Sequence, residues 1–326
     1  MASSIQARLL ARLSQGPASG DALAREFGLT RSAIWKQVHA LRAAGAEIQA
    51  TRGVGYRLAG PLDLLDAACV RRALPEAAAD GLDALEVAWR VDSTNARLLA
   101  GSAPATGCRV LLAEKQTAGR GRRGRGWVTP LASGLALSLA RRFQLPVARL
   151  GGLSLAVGVL VAEALREQGA AGVGLKWPND LVAGGAKLGG ILIEFGGELG
   201  GPVQAVIGVG LNVRLPAAAA GGIDQPWTDL RALGLGADRN ALAAAVLGRL
   251  LPGLDAFQSG GLGPFLPRFR ALDSLQGAAV RVLGGDGAVA GRAQGIDQEG
   301  RLLVAVDGRL RAFHGGEVSL RPQEGC

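Results

Sequence analysis

The sequence predicts an α+β protein in three parts: a winged helix-turn-helix over residues 1–62, a central mixed-sheet domain over 63–272, and a small SH3-like β-barrel over 273–326. Three observations carry this reading. The first stretch has helical apolar spacing with two capping residues, followed by a glycine hairpin. The middle alternates apolar strand runs with long helices, and the end breaks into short strands separated by glycine turns.

Ile5, Leu9, Leu10 and Leu13 follow helical spacing. Ser19 offers an N-terminal cap before Leu23 and Phe27, and Gly28 supplies a turn. Thr30 caps a third helix with Ile34, Val38 and Leu41 on one face. This is helix-turn-helix spacing, in which the third helix would enter a DNA major groove with Arg31 and Ser32 near its N-terminal end and Lys36 and His39 further along. Residues 48–58 read as two short strands around a glycine turn, a wing that carries Arg52. Basic residues outnumber acidic ones by eight to three in this part, which favours an anionic partner. A module used only for packing or protein contact has the same pattern.

In the central part, strands are expected at 109–114, 134–140, 173–177, 190–195 and 203–213, with helices at 153–168 and 240–257. After Leu272, strands at 279–283, 289–295, 302–306 and 310–313 are separated by hairpin turn residues such as Asp307-Gly308. A small sheet packed on the central domain fits this last pattern nearly as well as a barrel does.

Composition narrows the function classes. At 326 residues and 48% hydrophobic content the chain buries a large core, and the net charge of +9 favours anionic partners without naming one. Cys69, Cys108 and Cys326 are scattered and lack metal-type spacing, which suits a reducing cytoplasm and argues against a zinc site. No export signal opens the chain and no uninterrupted apolar run of about 18 residues is present, so no membrane is expected. Of 36 basic residues only four are lysine, and three of these, Lys115, Lys176 and Lys187, lie in or beside the segments that carry chemistry below. Arginine does not replace lysine where a compact charge is needed.

Four clusters point to anion chemistry. Residues 119–126 hold four arginines and four glycines, closed by Trp127, between two expected strands. Glycine lets successive N–H groups converge, and arginine supplies planar donors for carboxylate or phosphate. A disordered Arg-Gly tail has similar composition, but here both flanks are apolar strand runs. Lys176-Trp177-Pro178-Asn179-Asp180 follows a strand; proline makes the chain leave the sheet, and the amide and carboxylate could hold hydrated magnesium or form a plain turn. Lys187 precedes a strand beginning with Gly189 and Gly190, and Gly208 and Gly210 alternate before Asn212. Such glycines leave a slot for a ligand or for a close-packed helix.

Together with Ser93-Thr94-Asn95, these segments resemble the biotin protein ligases, specifically the long bacterial type that is also the biotin operon repressor. The resemblance spans nearly the whole chain, with the motifs in family order. It implies a ligase domain resembling class II aminoacyl-tRNA synthetases, ATP, biotin and Mg2+ as reactants and cofactor, and a biotin carboxyl carrier protein as acceptor. It also implies a homodimer, formed on adenylate binding, that represses at biotin operator DNA. Catalytic roles are implied for Lys187, Arg120, Arg122 and Asp180. Biotin contacts are implied for Ser93, Thr94, Asn95, Gln116, Gly119, Arg120, Gly121, Arg122, Trp127, Lys187, Gly190 and Gly208. ATP contacts are implied for Arg120, Arg122, Arg125, Trp127, Lys176, Asn179 and Asn212, metal ligation for Asn179 and Asp180, and DNA contacts for Arg31, Ser32, Lys36, His39 and Arg52. One departure is Val213-Arg214 after Asn212, where the family often has a second asparagine. A lipoate ligase, a biotin ligase without operator binding, and a ligand-sensing transcription factor without ligase activity are the competing readings.

Overall fold

Three helices and a hairpin open the computed structural model, which describes residues 5–60, 62–196, 202–216, 223–236, 238–284, 287–314 and 319–322. Helices α1 (Ile5–Ser14), α2 (Gly20–Phe27) and α3 (Arg31–Ala43) precede the antiparallel pair β1 (Ile48–Thr51) and β2 (Gly55–Leu58). The Ser19 and Thr30 hydroxyls accept from the Ala22 and Ala33 N–H groups, satisfying otherwise orphaned donors at the starts of α2 and α3. Gly28 ends α2 at φ 63°, a conformation that favours glycine.

The central domain adds α4 (Ala67–Ala73), α5 (Glu76–Ala79), β3 (Leu82–Ala88), α6 (Thr94–Leu99), β4 (Cys108–Ala113), β5 (Gly134–Phe143) and α7 (Leu153–Glu167). Then come β6 (Val173–Lys176), β7 (Asp180–Ala183), β8 (Ala186–Gly196), β9 (Val203–Asn212), α8 (Arg239–Gly260) and α9 (Leu266–Leu272). The seven strands form one sheet in the order β3-β4-β5-β9-β8-β7-β6, antiparallel except for β3 and β4. Side chains alternate across it with period two. Leu135, Leu137 and Leu139 of β5 and Ile207 and Val209 of β9 join α7 and α8 in the main core. Ala136 and Ala140 of β5 and Val206 of β9 turn to the opposite face, toward Leu98 of α6. That second face also carries Ser138, Gly208 and Gly210, so the larger core lies on one side of the sheet and the cleft on the other.

The segment Val147–Glu167 is long and apolar enough to cross a bilayer, yet 61% of its most apolar 18-residue stretch is buried inside the protein. Leu155, Ala156, Val159 and Val161 of α7 are at most 4% exposed, each large one contributing roughly 1.5–3 kcal/mol of burial to the core. The composition is that of a core helix.

Strands β10 (Ala279–Gly284), β11 (Gly287–Ile296), β12 (Leu302–Val306), β13 (Arg309–Phe313) and β14 (Ser319–Pro322) form an antiparallel five-stranded sheet ordered β13-β12-β11-β10-β14. Val280, Val282, Ile296, Leu302 and Val304 are continuous with the central core, and Trp177 Nε1 donates to the Gly300 carbonyl at 2.9 Å. The sheet is therefore packed on the central domain. Elements without a long periodic signature, β3, β7, β14 and the short helices α4, α5, α6 and α9, are absent from the expected set.

The winged helix is docked on the central domain by apolar and polar contacts. Leu131 and Ala132 are buried among its core residues Leu41, Ala46 and Ile48. The carbonyl of Ala44, which caps α3, accepts from Leu131 N at 3.0 Å and from Lys115 Nζ at 3.4 Å. A cation at a helix C-terminus is favourable to the helix dipole. Burial, reinforced by Arg90, holds the Lys115 ammonium below the usual lysine range. The connecting chain is pinned by Glu114, whose carboxylate accepts from Leu65 N and from Arg239, with both side chains 3% exposed.

Candidate active site

The floor of the cleft is glycine by steric necessity. A Cβ on Gly208 would lie 2.4 Å from Asn95 Oδ1, and one on Gly210 would lie 2.6 Å from Trp127 Cε2. The slot expected from the alternating glycines therefore exists, and Asn95 and Trp127 are the side chains that lean into it. Gly190 differs: the nearest atoms a Cβ there would meet belong to Lys187 and Asp180, at 3.5 Å or more, so protein packing does not demand glycine at this position.

One end of the cleft is polar and nearly buried. Ser93 caps α6 through Ala96 N, and Thr94 N and Oγ1 both donate to Gln116 Oε1 at 2.9 and 3.0 Å. Gln116 Nε2 in turn donates to Thr129 Oγ1. Asn95 Nδ2 donates to the Leu192 carbonyl and to Glu194 Oε2 at 2.9 Å. Ser138 Oγ lies 2.7 Å from Thr94 Oγ1 and 2.6 Å from Asn95 Oδ1, and its single proton serves one acceptor at a time. Donors and acceptors thus converge within a small volume whose members Ser93, Thr94, Asn95 and Ser138 are at most 4% exposed. The sequence reading attaches no role to Ser138, Thr129 or Glu194. The signal available for Ser138 and Glu194 is a lone polar residue at a cleft-facing position of an apolar strand.

The other end is cationic. The loop between β4 and β5 folds back on itself through an antiparallel bridge between Arg120 and Gly126, with Gly121 N donating to the Arg125 carbonyl at 2.7 Å. Arg123 and Gly124 both take positive φ, 57° and 72°, which turns the loop tip. Gly119 cannot carry a Cβ because the Trp127 carbonyl would be 2.4 Å away. From this frame Arg120 donates to Glu194 Oε2 at 3.0 Å and Arg122 to Asn179 Oδ1 at 3.1 Å. Burial, with neighbouring Arg123, holds the Arg122 guanidinium below its ordinary range. Lys187 Nζ lies 2.7 Å from Asp180 Oδ1 and 5.9 Å from the centre of the Trp127 ring. Lys176 and Arg125 also line the cleft, whose volume is about 1950 Å3.

Two local expectations change. Pro178 does not make the chain leave the sheet: Lys176 pairs with Asp180, so residues 177–179 are the turn of a β6–β7 hairpin and Asp180 heads the returning strand. Lys187 does not precede its strand but is the second residue of β8, where a register irregularity opposite Leu181 and Val182 falls. Asn212, 6% exposed, donates to the Thr228 carbonyl at 3.1 Å, which ties the returning chain to the cleft wall. Asn179 is likewise engaged, its Nδ2 donating to the Ile191 carbonyl and its Oδ1 accepting from Arg122.

Arg31, Ser32, Lys36 and His39 of α3 and Arg52 of the wing are all exposed. The end of α3 and the turn after it, residues 42–47, border the cleft itself.

Comparisons with known proteins agree with this geometry. A model of the biotin/lipoate A/B protein ligase family matches residues 87–212, an HTH domain matches 6–57, and a biotin protein ligase C terminal domain matches 277–321. The chain is 38% identical to the bifunctional ligase/repressor BirA of Escherichia coli K12, over 97% of each chain. The chain belongs to the biotin protein ligase family. It is 41% identical to the Mycobacterium tuberculosis biotin--[acetyl-CoA-carboxylase] ligase over 74% of this chain and 90% of that one. Biotin protein ligase from Aquifex aeolicus, solved in complex with biotin and ATP, covers 74% of this chain and all of its own, with a TM-score of 0.64 at 29% identity. The ligase-family match takes in Ser93, the Arg-Gly loop, Lys187 and Asn212, and the HTH match takes in α1 to β2.

Proposed function

We propose that the protein activates biotin with ATP to biotinyl-5'-AMP, transfers the biotinyl group to a lysine of a biotin carboxyl carrier protein, and represses biotin genes as an adenylate-loaded homodimer on operator DNA. The observation that carries the enzymatic part is the convergence of Arg120, Arg122 and Lys187 on a glycine-floored slot next to a buried polar pocket.

A carboxylate is a poor acyl electrophile, so its oxygen first attacks the α-phosphorus of ATP and pyrophosphate leaves. Two anions must meet in that step. Arg120, Arg122 and Lys187 offset the repulsion and stabilise the charge that builds on the phosphate oxygens. The buried donors and acceptors around Ser93, Asn95 and Gln116 suit a ureido ring, and Trp127 suits the apolar valeryl tail. Holding both substrates in one cleft supplies orientation. In the second step the ε-amine of the carrier lysine attacks the mixed anhydride, AMP leaves, and no protein nucleophile is needed.

Among the described residues no group of three His, Cys, Asp or Glu gathers as a metal cage. Magnesium keeps waters and phosphate oxygens as ligands and takes only one or two protein oxygens, so Asp180, with Asn179 beside it, would be the pair to hold it. Asp180 supplies the carboxylate; Asn179 stands beside it with its oxygen turned to Arg122. When bound, the ion draws charge from the phosphate oxygens.

Incubation with biotin, ATP, magnesium and a biotin carrier domain tests this reading. One lysine of the carrier should gain a single biotinyl group by mass, with lipoate giving none. Lipoyl transfer in place of biotinyl, or binding without pyrophosphate release, would replace it with the lipoate-ligase or pure-sensor reading.

A further inference from the structure

Trp35 is 55% exposed at the second turn of α3, although an indole is among the most costly side chains to leave in water. The winged-helix core does not need it. Ile34, Val38 and Leu41 already supply the buried face of α3. Trp35 instead lies on the imidazole of His39 one turn on, with ring centres 5.2 Å apart and planes 10° from parallel. Arg31, one turn before, completes the stripe, Lys36 adjoins it, and Arg52 and the 46% exposed Val54 stand on the wing. The flat apolar plate thus shares an exposed helix with cations, the charge pattern that fits a polyanion with apolar groups in its groove.

We propose that Trp35 reads a base of the operator: the indole, held flat by His39, meets the C5-methyl of a thymine in the major groove. Thymine is the one base whose groove edge offers a methyl. Position follows from the helix: Arg31 is its first residue, and the N-terminal turns of a recognition helix face base edges. Arg31, Lys36 and Arg52 carry the sequence-independent phosphate attraction, so affinity and thymine preference reside in different side chains. This inference rests on the reading that the winged helix binds DNA.

The test uses the full-length protein with biotin, ATP and magnesium. Duplexes are selected from a random-sequence pool, and each thymine of the enriched site is then replaced by deoxyuridine, with affinity read by anisotropy at fixed salt. At one thymine per half-site the wild type should bind about fourfold more weakly without the methyl, the worth of one buried methyl group. Trp35→Ala should lose that difference while keeping the salt dependence, and Trp35→Phe should retain part of it. Far-UV circular dichroism confirms that the variants are folded. If no duplex is enriched, the DNA-binding reading itself fails. If a site is enriched but no thymine shows the methyl effect, or Trp35→Ala keeps it, the role of Trp35 fails and DNA binding stands. Weakened dimerisation of Trp35→Ala with an unchanged thymine effect also overturns the proposal, in favour of a subunit contact.

Discussion

Lys187 and Asp180 face each other across adjacent strands β8 and β7, 2.7 Å apart and each less than one-fifth exposed. The strand pairing sets both side chains beside Gly190. Lys187→Ala should therefore lower adenylate formation by roughly 10²–10³ through loss of a charge acting on the transition state. Pyrophosphate release at saturating biotin and ATP measures this, with circular dichroism to show the fold intact. Wild-type release would remove Lys187 from the chemistry.

Glu194 holds Arg120 and Asn95 with one carboxylate oxygen, joining the Arg-Gly loop to the floor of the polar pocket. The Arg120 bond is part exposed, so its loss costs about 1 kcal/mol, or about fivefold in loop opening. Glu194→Gln should speed tryptic cutting at Arg122 and Arg123 by about that factor.

Biotin plus ATP should suppress the same cuts in the wild-type protein. Glycine-rich backbone is costly to fix until bound anions reward it. Equal cutting with and without substrates would contradict a closing loop.

Glu114 and Arg239 form a nearly fully buried ion pair that also anchors Leu65 of the connecting chain. Glu114→Leu leaves an uncompensated guanidinium and should cost about 3–5 kcal/mol. Burial pushes the Glu114 carboxyl above the usual range, against the pull of Arg239. Urea unfolding monitored by tryptophan fluorescence reads the loss. A change within about 0.5 kcal/mol would assign the anchoring to the surrounding apolar contacts instead.

Biotinyl-adenylate should promote homodimerisation and so operator binding, because a two-fold dimer presents two α3 helices to two half-sites. Sedimentation with and without biotin and ATP measures the first step. A gel shift at fixed salt on the promoter of the organism's own biotin genes measures the second. Identical binding in both conditions would leave the ligase standing without its regulatory role.

By itself the sequence determined whatever depends on residue type and short spacing. Ser19 and Thr30 cap their helices because a hydroxyl before a helix has a donor to satisfy wherever the helix sits. The long apolar periods of α7 and α8 marked core helices, and the runs of glycine with arginine or lysine marked the cleft. The tertiary structure alone decided which of those residues meet. Asp180 entered the reading as the end of a departing strand, but the register of the β6–β7 hairpin turned it toward Lys187. Ser138 and Glu194 belong to the site because β5 and β8 put alternate side chains on the α6 face, and their partners lie 43 and 99 residues away. No local propensity encodes such a pairing: it arises when the sheet closes and every buried polar group must find a donor or acceptor.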